Sequence, residues 1–140
     1  MKKPKVIITR RLQDRVEKRM KELFNVDLSS AEYPISKQEL LSAVKDAEIL
    51  VPTIGDKIDA SILSAASSKL KLIANYGAGY DHIDIKTASQ RGIIVTNTPS
   101  VLTTDTADMT MALILAIPRK LREVMKRCNL ATGKAGAHPQ

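Results

Sequence analysis

Residues 70–97 read LKLIANYGAGYDHIDIKTASQRGIIVTN, and this stretch decides the fold class. It holds two short apolar runs, at residues 70–75 and 93–96, on either side of a helical segment at 85–91 that Gly92 follows. Short apolar runs between turn residues are typical of buried strands, and a glycine directly after a helix is a common stop signal. A strand, a helix and a second strand in this order predict a parallel pair, because the crossover has to span the sheet.

The same alternation extends to the N-terminus. Further strands are predicted at residues 5–9, 26–28 and 48–51. Three helices are predicted between the strands, from an apolar stripe at helical spacing (Leu12, Val16, Met20 and Leu23), a capping box (Ser36 and Glu39) and a capping aspartate (Asp59). We therefore predict an α/β fold: a flavodoxin-like, doubly wound parallel sheet of five strands over residues 4–97, followed by a long C-terminal linker helix.

The organisation of the chain changes after Pro99. From Thr103 onward a long helical pattern carries acidic residues first and basic residues later, which complements the helix dipole. Apolar side chains cover nearly the whole circumference of this helix, so it needs partners on several sides, and Pro118 is expected to kink it or to end its first half. We expect three parts: a core at residues 1–99, a linker helix at 100–130 and a tail at 131–140.

Composition and charge exclude several classes of protein. The longest apolar run, residues 111–117, is far shorter than the roughly 20 residues that cross a bilayer, and the N-terminus lacks the apolar region of a secretory signal. We expect a cytoplasmic protein without a membrane partner. The net charge of +7 is concentrated in residues 1–24 and 119–140, and only four residues are aromatic, so we expect no nucleic-acid binding. Two histidines and one cysteine, far apart, predict no metal site.

The candidate site is the glycine-containing segment after the strand at residues 70–75. Ligands of such sheets bind at the carboxyl ends of the strands, where Gly77 and Gly79 permit a positive φ and let backbone N–H groups converge on an anion such as a small carboxylate. The alternative is a plain turn that needs glycine for steric reasons, and the residues alone leave both readings open. The segment is not a dinucleotide fingerprint, because the third glycine position falls on His82, which we expect to serve the loop or cap a helix.

Three segments resemble the D-isomer-specific 2-hydroxyacid dehydrogenases, most closely the glyoxylate/hydroxypyruvate reductase and phosphoglycerate dehydrogenase branch. They are LIANYGAGYDHID at residues 72–84, RGIIVTNTP at 91–99 and TDTAD at 104–108. The resemblance implies a substrate-binding domain at residues 1–99 that takes a small 2-keto or 2-hydroxy carboxylate, with NAD or NADP as cofactor. It implies that the amides of Gly77, Ala78 and Gly79 hold the carboxylate, that Ile54 and Gly55 line the opposite wall, that Ala78 and Thr106 lie near the cofactor, and that a homodimer forms through residues 104–126.

The chain also departs from the family pattern. The family's glycine-rich nucleotide loop and its catalytic arginine, glutamate and histidine would lie beyond Gln140, so the resemblance gives no catalytic residue in this sequence. We therefore expect a truncated family member, inactive by itself, that does not bind NAD or NADP stably. The alternative is a stand-alone carboxylate-binding or dimerisation module without catalysis.

Overall fold

A computed structural model describes residues 3–29 and 33–131 of the protein, with side chains up to Cys128. The chain divides into two compact units, residues 1–99 and 100–140. Strands and helices alternate through the first unit, and the second contains two helices. The strands are β1 (Lys5–Ile8), β2 (Asn25–Leu28), β3 (Ile49–Val51), β4 (Leu72–Ala74) and β5 (Ile94–Thr96), and the helices are α1 (Asp14–Leu23), α2 (Lys37–Asp46), α3 (Ala60–Ala65), α4 (Ile85–Gln90), α5 (Thr103–Ala116) and α6 (Leu121–Ala131).

The five strands form one parallel sheet in the order β2-β1-β3-β4-β5. This is the flavodoxin-like order predicted from the sequence. Ile8 lies opposite Val51, and an isolated bridge pairs Thr53 with Tyr76 beyond the strand ends. The register therefore brings the segments that follow β1, β3 and β4 together at one edge of the sheet.

The two faces of the sheet pack against different helices. On one face, Leu50 and Ile73 belong to a cluster of fully buried residues with side chains of α2, α3 and α4. On the other face, Val6, Ile8 and Val51 pack against partly buried residues of α1 and its neighbours. Successive strand residues point to opposite faces, so a sheet covered on both sides needs strands that are apolar throughout.

Local signals in the sequence place most element boundaries correctly. Ser36 and Glu39 form the predicted capping box, in which the Ser36 hydroxyl accepts from the Glu39 amide at 3.2 Å and the Glu39 carboxylate accepts from the Ser36 amide at 2.8 Å. Gly92 has a φ of +67° directly after α4, the conformation that favours glycine at a helix end. The predicted stripe on α1 is wrong at its end, because Leu23 is 46% exposed and Phe24 packs inward instead.

The second unit consists of α5 and α6, joined by a turn at residues 117–120 that contains Pro118. The predicted interruption at this proline is confirmed. The large apolar side chains of α5 are more than half exposed: Met109, Met111, Leu113, Ile114 and Leu115. No helix in the described part of the chain is long and apolar enough to span a membrane. Nearly all of the predicted tail, residues 132–140, lies outside the described residues.

Candidate functional site

The candidate site lies where β3, β4 and β5 end. The Tyr76 amide donates to the Pro52 carbonyl oxygen at 2.9 Å, and the Asn75 amide donates to the Thr96 carbonyl oxygen at 2.9 Å. Residues 75–80 thus leave the sheet between the segments that follow its two neighbouring strands. Parallel strands place their carboxyl ends at one edge, which is why segments distant in sequence meet here.

Three consecutive carbonyl groups of this loop are held by hydrogen bonds. The buried Asn75 side chain donates through Nδ2 to the Gly77 oxygen at 3.2 Å and to the Gly79 oxygen at 2.8 Å. The Asn97 side chain donates to the Ala78 oxygen at 2.7 Å, and the Thr98 amide donates to the Gly77 oxygen at 3.0 Å. The acceptors of residues 77–79 are therefore occupied by this chain.

The backbone N–H groups of the same three residues have no acceptor among the residues that the structure describes. Gly77 and Ala78 are half-buried and Gly79 is exposed. Backbone amides are strong donors that normally find a partner, in the protein or in solvent. Adjacent backbone N–H groups that have no acceptor in the protein can converge on an anion.

The reason for glycine at positions 77 and 79 differs from the expected one. Gly92 is the described glycine with a positive φ, so neither Gly77 nor Gly79 needs glycine for its backbone conformation. A Cβ at Gly79 would meet nothing within 4 Å, and one at Gly77 would lie 3.5 Å from Asn75 Nδ2, an ordinary contact. The chain therefore leaves room for a side chain at both positions, so steric crowding in a plain turn does not explain the two glycines.

His82 belongs to the support of this loop. Its Nε2 lies 3.0 Å from Asn75 Oδ1. Burial lowers the pKa of His82, while the nearby charges of Asp56 and Asp81 oppose that shift. Asp84 has a separate role, because its carboxylate accepts from the Thr87 amide at 3.0 Å and caps α4. The expected loop role of His82 is confirmed.

The segment that the resemblance identifies as the opposite wall follows β3. Ile54 is 71% exposed, which leaves its side chain accessible to a ligand. At Gly55, a Cβ would lie 2.6 Å from the Pro34 ring and 2.9 Å from an Arg10 guanidinium nitrogen. Glycine is therefore required at position 55 by crowding.

Sequence reasoning missed Asp56, which fixes this segment. Its Oδ2 accepts hydrogen bonds from the Thr9 hydroxyl at 2.6 Å, the Thr53 amide at 2.8 Å and the Thr53 hydroxyl at 3.1 Å. Asp56 is 1% exposed, and these bonds compensate the burial of Oδ2, whereas the buried Oδ1 has no hydrogen-bond partner among the described residues. The available signal was a turn that begins with Thr53 and ends with an aspartate three positions later.

The described residues contain no glycine-rich phosphate loop of the dinucleotide-binding type. The turn from β1 to α1, residues 9–13, contains no glycine, whereas a dinucleotide phosphate loop depends on closely spaced glycines. Thr106 lies on α5 in the second unit, where its carbonyl oxygen accepts from the Thr110 hydroxyl at 2.8 Å. The described residues also contain no group of His, Cys, Asp and Glu side chains that could hold a metal ion.

Comparison with known proteins shows which family this chain is similar to. The family model for the catalytic domain of D-isomer specific 2-hydroxyacid dehydrogenases matches residues 6–136. A glyoxylate reductase of Thermococcus onnurineus is 45% identical over 124 residues, which are 89% of this chain and 37% of that protein.

Two solved structures are similar to this chain in fold and sequence. The TT0316 protein of Thermus thermophilus is 40% identical with a TM-score of 0.80, over 97% of this chain and 43% of that one. An NAD+-bound 3-phosphoglycerate dehydrogenase of Entamoeba histolytica is 28% identical with a TM-score of 0.66, over 81% of this chain and 39% of that one. The chain thus spans well under half the length of these relatives.

Proposed function

Because the chain belongs to the family of D-isomer specific 2-hydroxyacid dehydrogenases, we propose that it is the substrate-binding portion of an NAD(P)-dependent oxidoreductase. The reaction interconverts small 2-keto acids and D-2-hydroxy acids at the CH–OH group. Glyoxylate is the first candidate substrate, because the Thermococcus onnurineus relative carries the name glyoxylate reductase.

The free amides of Gly77, Ala78 and Gly79 are the observation that carries this proposal. A carboxylate oxygen accepts strong, charge-assisted hydrogen bonds from such donors. Anchoring the carboxylate orients the adjacent keto carbon, and Ile54 supplies an apolar wall that limits the access of water. A bound nicotinamide would supply the hydride, and the family resemblance implies a position for it near Ala78.

A titration with glycolate, a small 2-hydroxy acid, tests the binding role. We expect the amide resonances of Gly77, Ala78 and Gly79 in a proton–nitrogen correlation spectrum to shift and to saturate, because the carboxylate replaces water at these donors. Glycolamide has the same hydroxyl but no carboxylate, and it serves as the control. A glycolate response confined to other residues, or equal responses to both compounds, would contradict the proposed site.

The isolated chain of 140 residues is expected to show no turnover. The resemblance places the catalytic arginine, glutamate and histidine beyond Gln140, and the described residues lack a phosphate loop for the cofactor. The measurement is the oxidation of NADH or NADPH in the presence of glyoxylate or hydroxypyruvate. Turnover above the rate without protein would show that residues 1–140 contain a complete catalytic site.

A homodimer through residues 104–126 is part of the proposal. The apolar side chains of α5 are more than half exposed, and a contiguous exposed apolar surface of this kind typically marks an interface. We expect a concentration-dependent dimer in analytical ultracentrifugation and a monomer for Leu113→Glu. Lys18→Glu, a charge change at an exposed residue of α1 outside residues 104–126, is the control. A wild-type chain that stays monomeric at every concentration would contradict the dimer.

The alternative function is a stand-alone carboxylate-binding or dimerisation module, favoured by the same exposed helix. Such a module would bind glycolate in the titration and form a complex with a full-length relative. The proposed enzyme portion gains activity when it is joined to a nucleotide-binding domain, and the module does not.

A further inference from the structure

Side chains from outside residues 77–79 fix the peptide planes that carry the N–H groups of Ala78 and Gly79, because each plane joins the carbonyl group of one residue to the N–H group of the next. In an isolated loop, each peptide plane can rotate and present either its N–H or its C=O to a ligand. Here the Asn75 side chain holds the carbonyls of Gly77 and Gly79, and the Asn97 side chain holds the carbonyl of Ala78. An anion-binding loop needs this control, because a carbonyl oxygen turned toward a carboxylate would repel it.

The orientation of the Asn75 side chain is itself determined by its neighbours. Its Nδ2 donates to two carbonyl oxygens, so its Oδ1 faces the other way, toward His82 Nε2 at 3.0 Å. An acceptor at Oδ1 requires a donor opposite, so His82 Nε2 carries a hydrogen. If the Asn75 amide were rotated by half a turn, Oδ1 would face the carbonyl oxygens of Gly77 and Gly79, which would repel it. The Nδ2 hydrogens would then face the hydrogen on His82 Nε2.

The network also links two strands. Asn75 directly follows β4, and Asn97 directly follows β5. Thr98, next to Asn97, donates its amide to the Gly77 oxygen at 3.0 Å. Asn75 is therefore anchored to the end of β4, and Asn97 and Thr98 to the end of β5. The pairing of β4 with β5 fixes the distance between these donors. Rigid support of this kind keeps a binding group in its productive geometry before the ligand arrives.

We propose that His82, Asn75 and Asn97 are positioning residues for the substrate carboxylate: His82 orients Asn75, and the two asparagine amides turn the carbonyls of residues 77–79 away from the ligand. This inference rests on the proposed function and assigns roles to side chains that do not touch the substrate. Asparagine is required at position 75 because aspartate, with nearly the same shape, has no N–H group to donate.

Two substitutions of His82 form a matched test. His82→Gln keeps a donor near the position of Nε2, whereas His82→Asn is polar but too short to reach Asn75 Oδ1. We expect His82→Gln to bind glycolate within about twofold of the wild type, and His82→Asn to bind it about tenfold more weakly, which corresponds to one lost hydrogen bond. The guanidinium unfolding midpoint of both variants shows whether the difference arises from binding or from folding.

Asn75→Asp and Asn97→Asp extend the test to the amides themselves. Each places an acceptor against carbonyl oxygens, and we expect each to lose glycolate binding by more than tenfold, with altered amide resonances of Gly77 and Gly79. If His82→Asn does not fold, these two variants still test the positioning role of the asparagine amides. Equal glycolate affinities in the two His82 variants, or wild-type affinity in Asn75→Asp, would overturn the positioning role and leave the proposed function intact. A wild-type chain that does not bind glycolate would overturn both.

Discussion

The Gly79→Ala variant is expected to fold as stably as the wild type and to bind glycolate about tenfold more weakly. A Cβ at this position meets no atom of the chain within 4 Å, and the φ of Gly79 lies outside the left-handed region. The methyl group therefore causes no strain in the folded protein. It stands beside the free amides, where it obstructs the approach of a carboxylate. Titration followed by the amide resonances, and guanidinium unfolding, measure the two effects separately.

Gly92→Ala is the matched control, because it makes the same chemical change at a glycine that has a positive φ and lies outside the candidate site. Gly92 has a φ of +67°, where an L-residue costs about 1–2 kcal/mol. We expect this variant to lose about that much unfolding free energy and to bind glycolate like the wild type. If Gly79→Ala binds glycolate with unchanged affinity, the carboxylate does not approach the loop at this residue.

The Asp56→Ala variant is expected to lose about 2–4 kcal/mol of unfolding free energy. One carboxylate oxygen accepts three hydrogen bonds, from the Thr9 hydroxyl and from the amide and hydroxyl of Thr53. Thr53 is buried, so removing the acceptor leaves its amide and hydroxyl without a partner, whereas the Thr9 hydroxyl still has the Val51 carbonyl oxygen at 3.3 Å. The loss also releases the segment that carries Ile54 and Gly55. Chemical denaturation followed by circular dichroism gives the free energy.

Two further substitutions separate the hydrogen bonds from the charge at this position. Asp56→Asn keeps one acceptor oxygen, so we expect a smaller loss than for alanine. Asp81→Ala removes an exposed aspartate near the same loop, and we expect it to leave the unfolding free energy unchanged. An Asp56→Ala variant as stable as Asp81→Ala would show that the three bonds do not stabilise the fold.

The fold could be predicted because its signals are local. The capping box at Ser36, the aspartate cap at Asp59 and the helix stop at Gly92 each depend on a few neighbouring residues, so they can be recognised in one dimension. The stripe on α1 is wrong at Leu23 for the opposite reason. The helix ends at Leu23, and the extended backbone of Phe24 turns its side chain toward residues of β1 and β2, which helical spacing does not anticipate.

In the candidate site, too, local features could be predicted from the sequence and long-range contacts could not. The sequence identified the loop around Gly77 and Gly79, because two glycines after a buried strand are visible without any knowledge of contacts. It did not give the reason for those glycines, since φ and the space around a Cβ are properties of the folded chain. Asp56 was missed because its partner Thr9 lies 47 residues away, and only the sheet brings the two together.

By itself, the sequence determined the order of strands and helices and indicated residues 77–79 as the candidate segment for a ligand, because periodicity, capping residues and glycine placement act over a few residues. Only the tertiary structure decided which groups of that segment remain free. Asn75 and Asn97 reach the carbonyls of residues 77–79 because β4 and β5 pair in register and end at the same edge. Hydrogen bonds between distant residues depend on that three-dimensional arrangement, and so does the direction in which three backbone amides point.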